Sequence, residues 1–395
     1  MASHLRVVGD EDDGRSTDLR LIADAFDPSR LIQARHLSGL TKRAVASSLR
    51  VSPAAVGQWE TGATSPRPNH LEALAALLDV PVTYLAAGRP YARLEPTSAH
   101  FRSLRSTSAR ERSRAIAFTE QVWELTYALE KRVQLPPVEL PGFSAGEVLH
   151  DNFPSDPREA ARAIRRQWGL GLGPIPRVVR TLENHGIITT LAPFAGGANP
   201  TVDAFSTSQL PRPVIVLTPD RANDVYRHRF TAAHELGHLL LHAEVVPGDV
   251  AQEREADIFA AEFLTPKESI LPELPSRMDL RALGALGSAW GVSVESLLYR
   301  CREVGSVSEA TYRRAFVRLN SLRKLDLFSP EPVQGYPGEV PLLLRRAFDV
   351  ACDNGLTMRE LSSELHMRPR RIRLLLGATE KPPVLKPLDT AETWK

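Results

Sequence analysis

Cysteine is almost absent from this chain, since only Cys301 and Cys352 occur among 395 residues. Two distant thiols cannot form a disulfide framework, and they are too few for a cysteine-based zinc site. An apolar run of about 20 residues, which a membrane span requires, is also missing. So is the apolar core of a signal peptide in the opening "MASHLRVVGDEDDGRSTD". We therefore expect no membrane partner and a cytoplasmic location.

Acidic residues are scarce in one stretch, although the net charge of the whole chain is only +2. Between Pro28 and His70 six basic side chains accompany a single acid, Glu60. The six are Arg30, Arg35, Lys42, Arg43, Arg50 and Arg67. Such a local excess attracts nucleic acid. The alternative is a solvated basic face without a partner.

Helix caps, prolines and glycines predict five regions along the chain. Residues 1–18 are polar and acidic, and we expect a disordered tail there. Short amphipathic helices over 19–90 are followed by a helical linker over 91–150. Helices and three β-branched strands ("IITTLAPF", "TVDAFST" and "RPVIVLT") fill 151–304. The last region, 305–395, is helical, and no repeat at a fixed period is evident.

The stretch "FTAAHELGHLLLH" at 230–242 concentrates histidines in an apolar run. His234-Glu235-Leu236-Gly237-His238 fits the pattern H-E-x-x-H, which puts both histidines on one helical face where they can hold one zinc ion. Glu235 lies about 100° round the helix and can act as general base for the attacking water. The alternative is a core helix with buried histidines and a chance motif.

A catalytic zinc site needs a third protein ligand. In "EREAD", Glu253 and Asp257 share a helical face, so Glu253 can ligate while Asp257 accepts the free N–H of a ligand histidine. Glu255 points elsewhere and is the second choice for the ligand. We interpret His242 as a helix-end residue facing the last carbonyls, close to the site.

"RHRFTAAHELGHLLLH" followed by "EREADIFAAEFLTP" resembles the ImmA/IrrE family of zinc metallopeptidases. The similarity covers roughly residues 155–300 and departs from the family at Leu264-Thr265, where Leu-Met is usual. It implies a thermolysin-like site beside a small antiparallel sheet, whose edge strand would suit an extended peptide. It also implies that the substrate is a helix-turn-helix repressor, whose cleavage releases stress or mobile-element genes.

"LTKRAVASSLRVSPAAVGQWETGATSP" is typical of a helix, a tight turn and a second helix that enters the major groove. It resembles the XRE (Cro/C1-type) repressor domain over about residues 29–88, most specifically in Trp59-Glu60-Thr61-Gly62 and Pro66. The candidate base readers are Ser52, Ala54, Ala55 and Gln58. The candidate phosphate contacts are Lys42, Arg43, Arg50 and Arg67. Lys42 replaces the family's usual glutamine, which puts the base contact at that position in doubt. A domain that binds protein rather than DNA is the alternative.

The segment "TMRELSSELHMRPRRIRLLLG" near the C-terminus also fits a helix-turn-helix, with Arg368, Arg370, Arg371 and Arg373 as its basic residues. A second DNA contact and a dimerisation or packing segment both remain open for it. The complete prediction is an α+β, mostly helical protein. A five-helix repressor-like domain precedes a thermolysin-like minimal metallopeptidase domain with a small antiparallel sheet, and a helical region follows.

The predicted function is a DNA-binding regulator fused to a zinc endopeptidase. Its expected partners are double-stranded DNA, a repressor-type protein substrate and, since such readers pair on palindromic sites, a second copy of the chain. Two alternatives remain: a transcription factor with a non-proteolytic metal sensor, and a peptidase whose helix-turn-helix domain tethers a protein partner.

Overall fold

A computed structural model describes residues 11–94, 100–101, 108–143, 153–192, 204–218, 224–242, 249–325, 327 and 338–377. This part of the chain is mostly helical with one small sheet, which confirms the predicted fold class. None of its helices has the length and apolar character needed to cross a membrane.

Five helices form the N-terminal unit. They are α1 (Glu11–Asp24), α2 (Pro28–Leu37), α3 (Lys42–Leu49), α4 (Pro53–Thr61) and α5 (Pro68–Leu77), and a 3₁₀ turn follows at Val82–Leu85. Helix α1 begins at Glu11, within the stretch 1–18 for which the sequence predicts a disordered tail. The end of α1 packs Ile22 and Ala23 against the unit's core, which offsets the polarity of its first turns. Residues 1–10 lie outside the described ranges.

Local caps set the turn between α3 and α4. Thr41 accepts a hydrogen bond from the N–H of Ala44 at 3.1 Å and begins α3, while Ser52 accepts one from Ala55 at 3.1 Å and begins α4. Arg50 ends α3 in the left-handed region with φ 57°. Each element of the turn is therefore encoded by the residues beside it.

The long helix α6 (Ala109–Glu130) begins at a capping box formed by Ser108 and Glu111. The predicted linker over 91–150 is helical here, but it is not an exposed connector. Phe118 and Val122 on α6 are fully buried, and they belong to the same core as the N-terminal unit. The helical part of this region is therefore packed into the first core by residues from other elements.

Four strands form the sheet in the order β1-β3-β4-β2. They are β1 (His100–Phe101), β2 (Ile188–Leu191), β3 (Ala204–Thr207) and β4 (Val214–Leu217). β1 pairs with β3, and β3 with β4, in antiparallel fashion, whereas β2 and β4 are parallel. The sheet is thus mixed, and the wholly antiparallel sheet that the resemblance implied is corrected. The reason is that β3 lies between β2 and β4 in sequence and reverses the chain, so β4 regains the direction of β2.

The two faces of the sheet belong to different cores. Phe205 and Val216 lie in the core that α6 shares with the N-terminal unit, whereas Ala204 and Ile215 lie in the core of the metal-motif domain. Because side chains alternate along a strand, one short sheet separates the two halves of the protein.

The second half is built from eight further helices. They are α7 (Pro157–Gln167), α8 (Val178–Asn184), α9 (Val225–Leu241), α10 (Val250–Leu264), α11 (Lys267–Ile270), α12 (Leu280–Trp290), α13 (Val294–Glu303) and α14 (Glu309–Lys324). α9 packs on β3 and β4, and α10 packs on α9 and α7. The motif helix is therefore enclosed between the sheet and α10.

Three C-terminal helices return to the first core. They are α15 (Leu343–Asp353), α16 (Met358–Leu365) and α17 (Pro369–Leu375), and all three contact α6. The positions at which α16 begins and ends and α17 opens are spaced as those of α3 and α4. Thr357 begins α16, His366 ends it in the left-handed region with φ 48°, and Pro369 opens α17. Thr357, His366 and Pro369 correspond in order to Thr41, Arg50 and Pro53.

Candidate functional site

The motif helix α9 starts at Asp224, whose carboxylate accepts hydrogen bonds from Tyr226 and Arg227 N–H groups at 3.2 Å. It is buried over most of its length. Gly237 allows α10 to come close, because a Cβ at this position would lie 3.0 Å from Phe259 of α10. This close approach brings the acidic residues of α10 to the histidines of α9.

The structure places His234, His238 and Glu253 together. The two Nε2 atoms are 3.0 Å apart, and the carboxylate oxygens of Glu253 lie 3.5 Å from His234 Nε2 and 3.6 Å from His238 Nε2. A tetrahedral ion with bonds of about 2.0–2.1 Å has ligand atoms roughly 3.4 Å apart. The three donor atoms therefore fit zinc in both chemistry and spacing.

The protonation states of these side chains suit a metal. Burial lowers the pKa of His238 to about 4, so this ring is neutral at pH 7. Burial opposes ionisation of Glu253, but hydrogen bonds and charge from His234 and His238 outweigh it and hold the pKa at about 2. Both groups are thus in the deprotonated form that ligation requires.

Asp257 accepts a hydrogen bond from Nδ1 of His234 at 2.9 Å. This contact fixes the tautomer that turns His234 Nε2 toward Glu253. Asp257 is one turn beyond Glu253 on α10, which is the arrangement that the sequence spacing predicts.

His242 ends α9 and lies close to the site, as expected, but its ring contacts other side chains rather than the last carbonyls of the helix. Its Nδ1 lies 2.9 Å from Nδ1 of His238, and its Nε2 lies 3.0 Å from a carboxylate oxygen of Glu255. The ring turns this way because α10 brings a carboxylate next to it. Glu255, the second choice for the ligand, thus contacts His242 rather than the three-residue cluster.

Glu235 is fully buried between α9 and the sheet. The hydroxyl of Ser206, on β3, donates a hydrogen bond to its carboxylate at 2.7 Å. Sequence reasoning missed Ser206, although the alternation in "TVDAFST" signals that Ser206 and Ala204 share a face. Glu235, the candidate general base, is therefore held beside strand β3 of the sheet.

Arg229 and Glu339 were also missed, and they anchor the first half of α9. Arg229 forms a buried ion pair with Glu339 and donates to the carbonyls of Gly291 at 2.8 Å and Ile175 at 2.6 Å. Gly291 is required there, because it has φ 68° and a Cβ would lie 2.7 Å from the guanidinium. Because these partners lie far apart in the sequence, no sequence pattern indicated the contact between them.

The candidate DNA contacts are on the exposed side of α3 and α4. Those with exposed side chains are Lys42, Arg43, Arg50, Ser52, Ala54, Gln58 and Arg67, while Ala55 is partly buried. Lys42 lies 3.1 Å from Glu60, which is buried in an ion pair with Arg35. The hydroxyl oxygen of Ser52 accepts the capping bond of α4, so the base-reading prediction for it competes with a structural role.

The comparisons with known families agree with this geometry. Residues 182–302 match the Peptidase M78 model, described as an IrrE N-terminal-like domain, and residues 31–85 match the HTH_3 model, described as a helix-turn-helix. The chain contains both domains. A search of curated proteins finds no match to it. The two resemblances predicted from the motifs are thereby confirmed, and the peptidase match includes α9, α10 and the sheet strands β2, β3 and β4.

Proposed function

We propose that the protein is a zinc-dependent endopeptidase fused to a DNA-binding domain, and that it acts as a transcriptional regulator. The observation that supports this most is the cluster of His234, His238 and Glu253 with the buried carboxylate of Glu235 behind it. A purely structural metal site has no use for a buried acid next to its ligand histidines. This argues against a sensor without proteolysis.

In the proposed reaction Glu235 takes a proton from the attacking water and later passes it to the leaving amide nitrogen. The Ser206 hydroxyl orients the carboxylate for both transfers. His234, His238 and Glu253 would hold the metal, which when bound supplies Lewis acidity to polarise the scissile carbonyl. Asp257 keeps the His234 ring in the productive tautomer.

We infer a helix-turn-helix repressor as the protein substrate and a stress or mobile-element response as its setting, as the resemblance to ImmA/IrrE peptidases implies. The N-terminal domain binds double-stranded DNA through α3 and α4, and a homodimer would place two such readers on a palindromic site. The protein must reach the DNA that it binds, and we propose that it does so in the cytoplasm. For residues 343–377 we propose a packing role, since Arg371 turns inward to Gln121 at 2.6 Å and Leu374 replaces the reader Gln58.

The experiment that tests the peptidase is Glu235→Gln in the full-length zinc-loaded protein. Zinc content and circular dichroism should stay as in the wild type, while cleavage of unfolded casein or of a helix-turn-helix repressor from a panel falls by about 100-fold or more. Glu268→Gln, at an exposed glutamate of α11, is the matched control and should cleave normally. Equal cleavage by Glu235→Gln would remove the proposed role of this residue.

A further inference from the structure

The outer edge of β3 is paired by the chain itself. On one side β3 pairs with β4, and on the other side β1 pairs with it in antiparallel register, His100 opposite Ser206 and Phe101 opposite Phe205. β1 comprises only two residues and is the last strand of the sheet on this side. A segment that precedes α6 in sequence thus pairs with β3, a strand that packs on the motif helix α9.

This edge is also where an extended substrate would pair. Ser206 on β3 donates its hydroxyl hydrogen bond to Glu235, so the strand that carries the edge is in direct contact with the proposed general base. A peptide that adds to β3 forms main-chain hydrogen bonds at the positions that β1 now holds. His100 and Phe101 therefore have the backbone arrangement expected of a bound substrate.

The chain is tethered on both sides of this strand. The N–H of Leu94 donates to Glu120 of α6 at 3.1 Å, and Ser108 is the N-cap of the same helix. Residues 94 to 108 can span at most roughly 50 Å when extended. Their anchors on α6 are only roughly 18 Å apart along the helix. The connection is thus long enough to reach β3 and return, while its ends stay fixed.

From this pairing we infer that the protein cleaves itself at the His100–Phe101 peptide bond, an inference that rests on the proposed peptidase function. Water adds its oxygen to the carbonyl carbon of His100, the bond to the nitrogen of Phe101 breaks, and Glu235 carries the proton from the water to that nitrogen. The products are a carboxylate on residue 100 and an amino group on residue 101. The reaction is a hydrolysis and needs no other reactant.

The cut separates the DNA-reading helices from the metal site in sequence but not at once in space. Arg30 of α2 forms a buried ion pair with Glu124 of α6 at 2.6 Å, and Gln33 donates to Glu120 and Glu124 at 3.1 Å. These contacts join fragment 1–100 to fragment 101–395. The cleaved protein therefore elutes as one species in native buffer and as two in denaturant.

The test is intact-mass spectrometry of the full-length protein after incubation with zinc, over a wide range of protein concentrations. We expect fragments 1–100 and 101–395, at a fractional rate that does not depend on concentration because the reaction is intramolecular. Phe101→Pro places a proline ring on the nitrogen of the bond to be cleaved, at a residue of β1, and should slow cleavage by more than about tenfold. Phe101→Leu keeps the N–H and an apolar side chain, and it is the comparison variant that should slow cleavage far less than Phe101→Pro.

Three results would overturn the inference. The first is an intact chain in a preparation that cleaves casein or a repressor, which leaves the proposed peptidase standing. The same conclusion follows if Phe101→Pro speeds cleavage of the added protein. That result is expected if β1 only blocks the edge of β3, because the substitution weakens the blocking strand. The second is equal self-cleavage by Glu235→Gln, and the third is a fractional rate that rises with concentration. If neither the chain nor any added protein is cleaved, the proposed function itself fails.

Discussion

His242 shows how one side chain extends the metal site beyond its ligands. With Nε2 of His238 facing Glu253, the consistent proton arrangement has His238 Nδ1–H donating to His242 and His242 Nε2–H donating to Glu255. The ligand histidine is thus oriented by a second histidine, and that histidine by a carboxylate. Removing such support commonly costs metal affinity without removing the metal.

We expect His242→Ala and Glu255→Gln each to weaken zinc binding by about 10- to 100-fold while leaving the fold intact. Competition with a fluorescent chelator measures the affinity. Glu268→Gln is the control for the loss of a glutamate charge near α10 and should bind zinc as the wild type does. Unchanged affinity in both site variants would show that the contacts of His242 do not orient His238.

The residues of the site differ in how far sequence alone predicts them. The spacing of His234 and His238, and that of Glu253 and Asp257, follows from helical periodicity, so each pair could be placed on one face in advance. The contacts of His242 and Ser206 depend on the distance between α9 and α10 and on the strand that packs under α9. The periodicity of one helix or strand does not predict how close that element lies to another.

At the scale of elements, α6 is a helix in a region predicted to be helical, but its polar contacts could not be predicted from its own sequence. Its sequence carries Glu120, Gln121 and Glu124 on a helix that otherwise looks amphipathic, and these polar residues favour an exposed linker. In the fold all three are buried, because Arg30, Gln33 and Arg371 come from other elements to meet them. A buried polar network with distant partners cannot be distinguished from a solvated face by its own sequence.

The pair α3–α4 was predicted well because its signals are local. Thr41, Ser52, Pro53 and Gly62 cap or open the helices within the stretch that the sequence marks as helix, turn and helix. The same spacing recurs at α16 and α17, where Thr357 corresponds to Thr41 and Pro369 to Pro53, in the segment that the sequence also predicts as a helix-turn-helix. The two motifs differ in their surfaces, since the second one turns Arg371 and Leu374 toward α6.

This difference predicts distinct effects on DNA binding. Arg43→Ala and Arg50→Ala should each lower the slope of log affinity against log salt by about one, because each removes a phosphate contact. Arg373→Ala, on the second motif, should leave the slope unchanged, as should the control Arg313→Ala on the exposed side of α14. Fluorescence anisotropy with duplex DNA at several salt concentrations measures the slopes. A salt-independent affinity in the wild type would favour the protein-binding alternative, and a reduced slope in Arg373→Ala would make residues 343–377 a second DNA contact.

The described part of the molecule is arranged around the sheet and the long helix α6. The sheet presents Phe205 to the core of α6 and Ile215 to the core of α9, so the DNA-reading unit and the metal site are on opposite sides of it. The chain then crosses back to α6 at residues 338–342. There Glu339 pairs with Arg229 of α9, and the N–H groups of Leu342 and Leu343 donate to Glu183. The segment that leads into the C-terminal helices is thus held to the motif helix α9 by an ion pair and to α8 by two hydrogen bonds.

The junction at α6 also makes the stability of the protein depend on pH. Glu120 accepts hydrogen bonds from Gln33 and Leu94 at 3.1 Å and from Tyr91 at 3.2 Å, and Glu124 lies nearby. Burial dominates over these donors and raises the pKa of Glu120 from 4.5 to about 7. The folded protein therefore keeps a proton on this group at pH values where the unfolded chain has lost it.

Because the native state binds the extra proton between pH 4.5 and about 7, its free energy of unfolding falls as the pH rises through that window. The loss from Glu120 alone amounts to at most about 3 kcal/mol. Urea unfolding of Glu120→Gln should show a flatter dependence than the wild type between pH 4.5 and about 7, the window between the unfolded and folded pKa values of Glu120. Glu268→Gln, which keeps the buried carboxyl, should follow the wild type. Parallel curves for wild type and Glu120→Gln would mean that Glu120 is ionised in the folded protein over the whole pH range measured. The hydrogen bond from Leu94 to Glu120 of α6 would then be the same below and above neutral pH.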